Sequence, residues 1–278
     1  MYVPSDILKK NWNLIIGMVE IDPEGRELQT FLKHTSLKDK KVLEVGCGDG
    51  RITFKYAALA KHVIAIDVNT EEIEKAKSKI PAELSSKLEF QVCSGDNLLF
   101  EDETFDVVFF AYSLCCFMDG LEAMRKGLNE AWRVLRPEGG LLVDLQPSLH
   151  QPYKYNGGNI LYLITRKPKD LLQSWSAEKW SELERNSRFA IKNVALNEQK
   201  FNFIADERIT VNEYFATLED VLENFGEEIR ENFLENISNQ TMEEIRQMAE
   251  VMRTPKGILH QENAVFTVLE KTSGSWRK

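Results

Sequence analysis

Lys40-Lys41-Val42-Leu43-Glu44-Val45-Gly46-Cys47-Gly48-Asp49-Gly50-Arg51 is the stretch on which the reading of this 278-residue chain turns. Two lysines lead into an apolar run, a carboxylate enters at Glu44, and three glycines then alternate with other residues. A short apolar run of this kind predicts a parallel strand buried on both faces, entering a tight turn that opens a helix. Glycine tolerates positive φ and, lacking a Cβ, lets a ligand lie against the main chain. Gly46, Gly48 and Gly50 are therefore a candidate ligand loop. The spacing departs from G-x-G-x-x-G, in which a pyrophosphate rests on the helix N-terminus: the third glycine comes one residue early, and Arg51 stands in its place.

Charge separates the alternatives better than spacing. Glu44, Asp49, Asp67 and Asp96 fall at or just past the predicted C-terminal ends of the first three strands, where an open α/β sheet binds its ligands. Four carboxylates would repel a doubly negative pyrophosphate. Glu44-Val45-Gly46-Cys47-Gly48-Asp49-Gly50 resembles motif I of the class I S-adenosylmethionine-dependent methyltransferases, and the next hundred residues follow that family's order. Its ligand has no phosphate and carries a sulfonium, an ammonium, two ribose hydroxyls and an adenine amine, which suits an acidic rim.

The elements downstream can be read from the residues. His62-Val63-Ile64-Ala65-Ile66-Asp67 is an apolar strand ending in an acid. Asp67 follows Gly46 at close to the roughly 20-residue offset at which an acid meets ribose hydroxyls, and its two oxygens can accept both hydroxyl hydrogens. Asn69-x-x-Glu72 is a capping box that opens a helix. Leu88 to Cys93 predicts a third strand, followed by Ser94-Gly95-Asp96-Asn97. Phe105 to Tyr112 predicts a central fourth strand, and apolar positions from Leu121 to Leu135 a helix over Asp119 to about Arg136. Leu135-Arg136-Pro137-Glu138-Gly139-Gly140 then turns into a fifth strand, Leu141 to Leu145.

The resemblance runs from residue 40 to about 146 and rests on several motifs in order. It implies a doubly wound, Rossmann-like α/β fold with a seven-stranded mixed sheet in the order 3-2-1-4-5-7-6, the last strand antiparallel, and a cap insertion after strand five. It also implies S-adenosylmethionine as cofactor, S-adenosylhomocysteine as product and no metal. The cofactor contacts carried over are Glu44, Gly46, Cys47, Gly48, Asp49, Gly50, Asp67, Val68, Asp96, Asn97, Ala111 and Tyr112, with Asp96 accepting from the adenine amine. The segment between Asp96 and Phe105 is shorter than the family's usual form. Where many relatives carry a histidine or aromatic near the methyl group, this chain has Tyr112-Ser113-Leu114-Cys115-Cys116.

Outside that core the patterns are looser. Leu8, Trp12, Ile15 and Val19 predict one helix face, and Leu28, Phe31 and Leu32 a second helix after Asp22-Pro23; these helices lie across the cofactor cleft in the resembling family, or only cover the sheet edge. Residues 148–210 read as a cap whose Tyr153, Tyr155, Tyr162, Trp175 and Trp180 face substrate or form a satellite core, with strand-like runs at 160–165, 188–195 and 200–204. Thr217 caps a helix, a sixth strand or a helix follows at about 227–235, Thr241-x-x-Glu244 opens another helix, and Ala264 to Leu269 predicts the last strand. The expected division is 1–36 N-terminal helices, 37–147 cofactor-binding core, 148–210 cap and 211–278 the rest of the sheet.

A net charge of −9 and a pI near 5.2 argue against a nucleic-acid partner. The N-terminus lacks a secretory pattern, and no run of about 18 apolar residues predicts a membrane span. Cys47, Cys93, Cys115 and Cys116 show no metal-ligand spacing and read as reduced, cytoplasmic thiols, with a strained Cys115–Cys116 disulfide as the alternative. The expected activity is methyl transfer to a small-molecule acceptor, in the branch that resembles ubiquinone/menaquinone biosynthesis methyltransferases, by a monomer or homodimer. The alternatives are a non-catalytic S-adenosylmethionine-binding sensor or assembly protein, and a nucleotide-sugar or nicotinamide dehydrogenase. The donor is already activated, so positioning carries most of the chemistry. No catalytic residue is assigned; His150, Tyr112 and Arg208 are candidates for assisting proton removal.

Overall fold

The computed structural model describes residues 19–117, 120–148, 177–223 and 239–272. Five parallel strands form its centre: β2 (Lys41–Val45), β3 (His62–Asp67), β4 (Leu88–Val92), β5 (Val107–Ala111) and β6 (Leu141–Pro147). Val, Ile, Leu and Phe dominate them because both faces are covered, as a parallel sheet requires. Two long strands follow, β7 (Phe201–Phe215) and β9 (Gly257–Lys271), with β9 antiparallel to both β6 and β7. Short strands complete the sheet: β1 (Val19–Ile21) pairs with the end of β7, and β8 (Arg253–Thr254) with the start of β9.

The order is β4-β3-β2-β5-β6-β9-β7-β1, with β8 beside β9. This corrects the seven-strand expectation, since nine strands are present among the described residues. The strand flanking β9 comes from Phe201–Phe215, so residues 201–210 belong to the sheet and not to a cap. The sixth strand expected at about 227–235 lies outside the described residues, as do Tyr153, Tyr155, Tyr162 and Trp175. Val19, expected on a helix, is in β1; the rest of that helix lies outside the described residues. The strand-like run at 188–195 is helical, because α5 (Ala177–Lys192) continues into a π-helical turn at Asn193–Asn197. Its Ala190, Ile191 and Val194 are buried on one helix face while Phe189 is exposed, a case of tertiary contact overriding local propensity.

Each sheet face has its own core. On the front, Val42, Val63, Ala65, Val107, Phe109, Val143, Leu145 and Phe266 meet α1 (Arg26–His34), α2 (Thr53–Tyr56) and α3 (Thr70–Ser78). On the back, Leu43, Val45, Ile66, Val108, Phe110, Leu142 and Leu269 meet α4 (Leu121–Val134) and α5. The α1 helix starts where Asp22 accepts the Arg26 and Glu27 amide hydrogens at 2.8 and 3.0 Å. It is pinned by Phe31, stacked on Phe109 with centroids 4.4 Å apart. Asn69 caps α3 by accepting from the Glu71 and Glu72 amides, satisfying two of the helix's otherwise unpaired donors.

β6 ends at Pro147 opposite Ala264, so the 257–263 part of β9 and its partners in β7 project beyond the C-terminal ends of the parallel strands. There Phe215 and Ile258 form a third core with Val221 of α6 (Leu218–Glu223) and with Ile245 and Ala249 of α7 (Asn239–Val251). The projection forms a wall beside the strand ends. Truncating the staple between α1 and the sheet, Phe31→Ala, is expected to lower the unfolding free energy by about 3–5 kcal/mol. Urea denaturation with an unchanged slope checks this, and a loss below about 1 kcal/mol would show that α1 is not held by this contact.

Candidate functional site

Loops from β2, β3, β4 and β5 converge above the strand ends. Gly46 has φ +74, and a Cβ there would lie 2.2 Å from the Ser113 Cβ. The β2 and β5 loops therefore touch only because position 46 has no side chain. Gly48, with φ +54, differs: a Cβ would meet nothing within 4 Å, so its backbone borders open space. Gly50 serves packing, because a Cβ there would run into Phe54 and Phe90 at 2.7 and 2.9 Å.

Asp67 ends β3 facing this loop. Its Oδ2 accepts the Gly48 amide hydrogen at 2.8 Å and its Oδ1 accepts that of Asn69 at 2.9 Å. Each oxygen keeps acceptor capacity, so the carboxylate is fixed in place and can still receive two hydroxyl hydrogens. Val68 follows, 69% exposed, an apolar shelf beside it. Asp96 accepts from the Ser94 hydroxyl, and the Asn97 amide is turned back to the Ser94 carbonyl at 3.3 Å. Ala111 is the buried last residue of β5.

The acidic rim expected from the sequence is thinner than four charges. Glu44 lies inside β2, almost wholly buried; its Oε2 accepts the Tyr56 hydroxyl hydrogen at 2.7 Å and its Oε1 has no partner. Burial, only partly offset by Tyr56 and Thr53, raises its carboxyl to about 7. Asp49 is ion-paired with Lys79 at 2.8 Å. Asp67 and Asp96 remain as the carboxylates on the loops around the open space. Cys47 is buried and its thiol is pushed up by burial and by Glu44 and Asp67, which makes it inert lining. The Cys115 and Cys116 sulfurs are 3.9 Å apart and unbridged.

A second polar group adjoins the glycine loop on the front face. Arg51 donates to both Glu27 oxygens at 2.8 and 3.1 Å, and Lys55 reaches Glu27 at 3.1 Å and Asp22 at 3.5 Å. Burial works to raise the Glu27 carboxyl, but the two cations outweigh it and hold it at about 2. Tyr112 has φ 56, a left-handed conformation that costs a non-glycine residue on the order of 1–3 kcal/mol. Simple alternation would send its side chain behind the sheet with Phe110. The turn instead packs it against the front core, with Arg51 over its ring at 5.8 Å. Its hydroxyl oxygen is closed off from solvent without a hydrogen-bond partner.

Two further acids escaped the sequence reading. Glu213 pairs with His260 across β7 and β9, and Glu262 lies one pair further along the same face. Both are on the projecting wall, on the side facing Arg51 and Glu27. A legible signal existed: in Val211-x-Glu213-x-Phe215 and Ile258-x-His260-x-Glu262-x-Ala264 an acid sits at an inward position of an alternating strand. Arg208 is exposed and, by the same alternation, on the opposite face from Glu207 and Glu213, away from the loops. His150 lies outside the described residues. Among the described residues, no group of three or more His, Cys, Asp or Glu side chains is arranged to hold a metal, and no helix is long and apolar enough to cross a membrane.

A five-stranded parallel core, a glycine loop at positive φ and an acid closing the next strand define a class I S-adenosylmethionine-dependent methyltransferase fold. Residues 43–143 match the methyltransferase domain family. The chain is 29% identical over 180 residues to the uncharacterized methyltransferase YcgJ of Bacillus subtilis, covering 64% of this chain and 67% of that one. It is 31% identical over 143 residues to the ubiquinone/menaquinone biosynthesis C-methyltransferase UbiE of Rickettsia bellii, covering 47% and 56%. The chain thus spans little more than half the length of several curated relatives it matches. A crystal structure of a putative methyltransferase from Bacillus halodurans superposes with a TM-score of 0.53 at 17% identity, over 89% of this chain and 100% of that one, a likeness of fold.

Glu44 gives a pH-dependent prediction. Its carboxyl loses its proton near 4.5 in the unfolded chain but keeps it to about 7 when folded, so its contribution to stability falls as pH rises from 4.5 through 7, by up to about 1.4 kcal/mol per unit. In Glu44→Gln that contribution is gone. Urea denaturation at about pH 5 and about pH 7 is expected to show a loss of stability smaller than wild type by about 1–3 kcal/mol, and equal losses would mean the buried carboxyl is ionised throughout.

Proposed function

We propose that this chain binds S-adenosylmethionine above β2, β3 and β4 and transfers its methyl group to a small-molecule acceptor. The observation that carries the reading is the Gly48–Asp67 contact: a strand-end carboxylate locked by a loop amide at 2.8 Å, with acceptor capacity left for two ribose hydroxyls and an exposed valine next in sequence for the adenine face. Gly46, Cys47, Gly48, Asp49 and Gly50 form the loop along which the methionine part lies. Asp96 accepts from the adenine amine and Asn97 borders the ring. Ala111 and Tyr112 line the floor where the methyl group is presented. Glu44 acts from beneath, holding the loop and not touching the ligand.

Bound S-adenosylmethionine supplies an activated methyl group. The chain's task is to orient the acceptor on the far side of that carbon and to exclude water. Tyr112, turned forward by its positive φ, and the β7–β9 wall enclose the space where an acceptor meets it. The similarity to UbiE supports a small acceptor, while the wall and the segments after β6, which lie outside the matched region 43–143, set its identity.

Calorimetry with S-adenosylhomocysteine tests this. Micromolar binding is expected, and Asp67→Ala is expected to weaken it about 10- to 100-fold, because each hydrogen bond to an ionised carboxylate contributes roughly 1.5–3 kcal/mol. No heat and no thermal shift with either S-adenosylmethionine or S-adenosylhomocysteine would overturn the reading.

A further inference from the structure

The wall above the sheet carries more carboxyl groups than cations on its inner side. Asp22, Glu27, Glu213 and Glu262 share this part of the front face with Arg51 and Lys55 as the cations facing them. Both cations are committed elsewhere, Arg51 bidentate to Glu27 and Lys55 to Glu27 and Asp22. His260, cross-strand neighbour of Glu213, does not help: burial lowers it to about 4, so it is neutral. Two carboxyls are left without a counter-charge.

Glu213 is 8% exposed and its carboxyl forms no hydrogen bond or ion pair among the described residues. Glu262 is its diagonal neighbour on the same face, within side-chain reach. The Tyr112 hydroxyl is buried without a well-aligned hydrogen bond, and Glu27 is the carboxylate that bears on it most, ahead of Glu262 and Arg51. An unpartnered buried polar group carries a desolvation penalty, and here the buried Glu213 and the Tyr112 hydroxyl stand together, with the half-buried Glu262 beside them.

We propose that Glu213, Glu262 and Tyr112 form the acceptor subsite, and that the acceptor it takes is an amine. This rests on the methyltransferase reading above. The donor's sulfonium and the acceptor's ammonium together supply the two positive charges that the carboxyls lack. Burial supports the assignment, holding Glu213 at about 7 and, with Glu213 and Glu27 adding to burial, Glu262 at about 8, against the opposing pull of Arg51. Carboxyls poised there keep their protons in the empty site, ionise when a cation enters, and are matched to proton transfer near neutral pH. In the reaction one carboxylate takes a proton from the ammonium and becomes a carboxylic acid. The freed nitrogen lone pair forms the new N–C bond as the C–S bond breaks, its electron pair remaining on sulfur. Tyr112 is a positioning donor or acceptor to the same nitrogen's substituents.

The test uses the full chain saturated with S-adenosylhomocysteine and titrated with propylamine and benzylamine, with benzyl alcohol and benzoate as neutral and anionic counterparts. The amines are expected to bind at least about tenfold more tightly than either counterpart. Near neutral pH their binding should release protons, read as a heat that depends on the buffer's ionisation enthalpy, because one of the two carboxyls ionises against the bound ammonium. Glu213→Gln with Glu262→Gln should abolish both the preference and the proton release and leave S-adenosylhomocysteine affinity within about twofold; if the double variant does not fold, Glu262→Gln alone should weaken amine binding and reduce the proton release. Equal binding of alcohol or benzoate, amine binding without proton release, or amine binding retained in the variants would overturn the acceptor assignment. Normal S-adenosylhomocysteine heat with no amine binding would overturn it alone, whereas absence of that heat would overturn the cofactor reading first.

Discussion

Glu27, buried between Arg51 and Lys55, is the contact on which the front of the molecule depends. It joins α1 to the first residue after the glycine loop and so fixes both at once. A buried ion pair of this kind is weak evidence for stability, because desolvation offsets much of the attraction. Its consequence is positional: removing either partner leaves a charge stranded, so the loop and α1 keep one arrangement. Asp22 adds to this by capping α1 through its carboxylate while facing Lys55.

From that contact outward, two kinds of position can be distinguished. Gly46 and Gly50 are small because neighbouring side chains fill the space where a Cβ would be, whereas Gly48 faces open space. Among the acids, Glu44 and Asp49 are spent inside the protein, on Tyr56 and Lys79, while Asp67 and Asp96 sit on the loops around the cleft. The cleft is acidic, but through fewer charges placed more specifically than a count along the chain suggests.

The projecting part of β7 and β9 gives the molecule its second surface. Because β6 stops at Pro147, these strands continue with only the short β1 and β8 beside them, and their outer ends rest on the small core of Phe215, Ile258, Val221, Ile245 and Ala249. Isolated two-stranded ribbons are marginal in water, so that core lets Glu213 and Glu262 be held at fixed positions over the strand ends.

The sequence alone determined the parallel centre of the sheet, the glycine loop, the acid at Asp67, the Asn69 cap and the antiparallel last strand. All of these follow from short-range patterns: apolar runs of strand length, turn residues with special φ, and side chains that bond the adjacent backbone. Only the tertiary structure decided that Phe201–Phe215 is a sheet strand, that residues 188–192 are helical, and that Tyr112 faces forward. It also decided which acids are neutralised and that Glu213 and Glu262 stand opposite Arg51. The physical reason is that burial and counter-charges come from partners far along the chain, such as Glu27 for Arg51 and β9 for β7, and local periodicity carries no information about which distant segment will supply them.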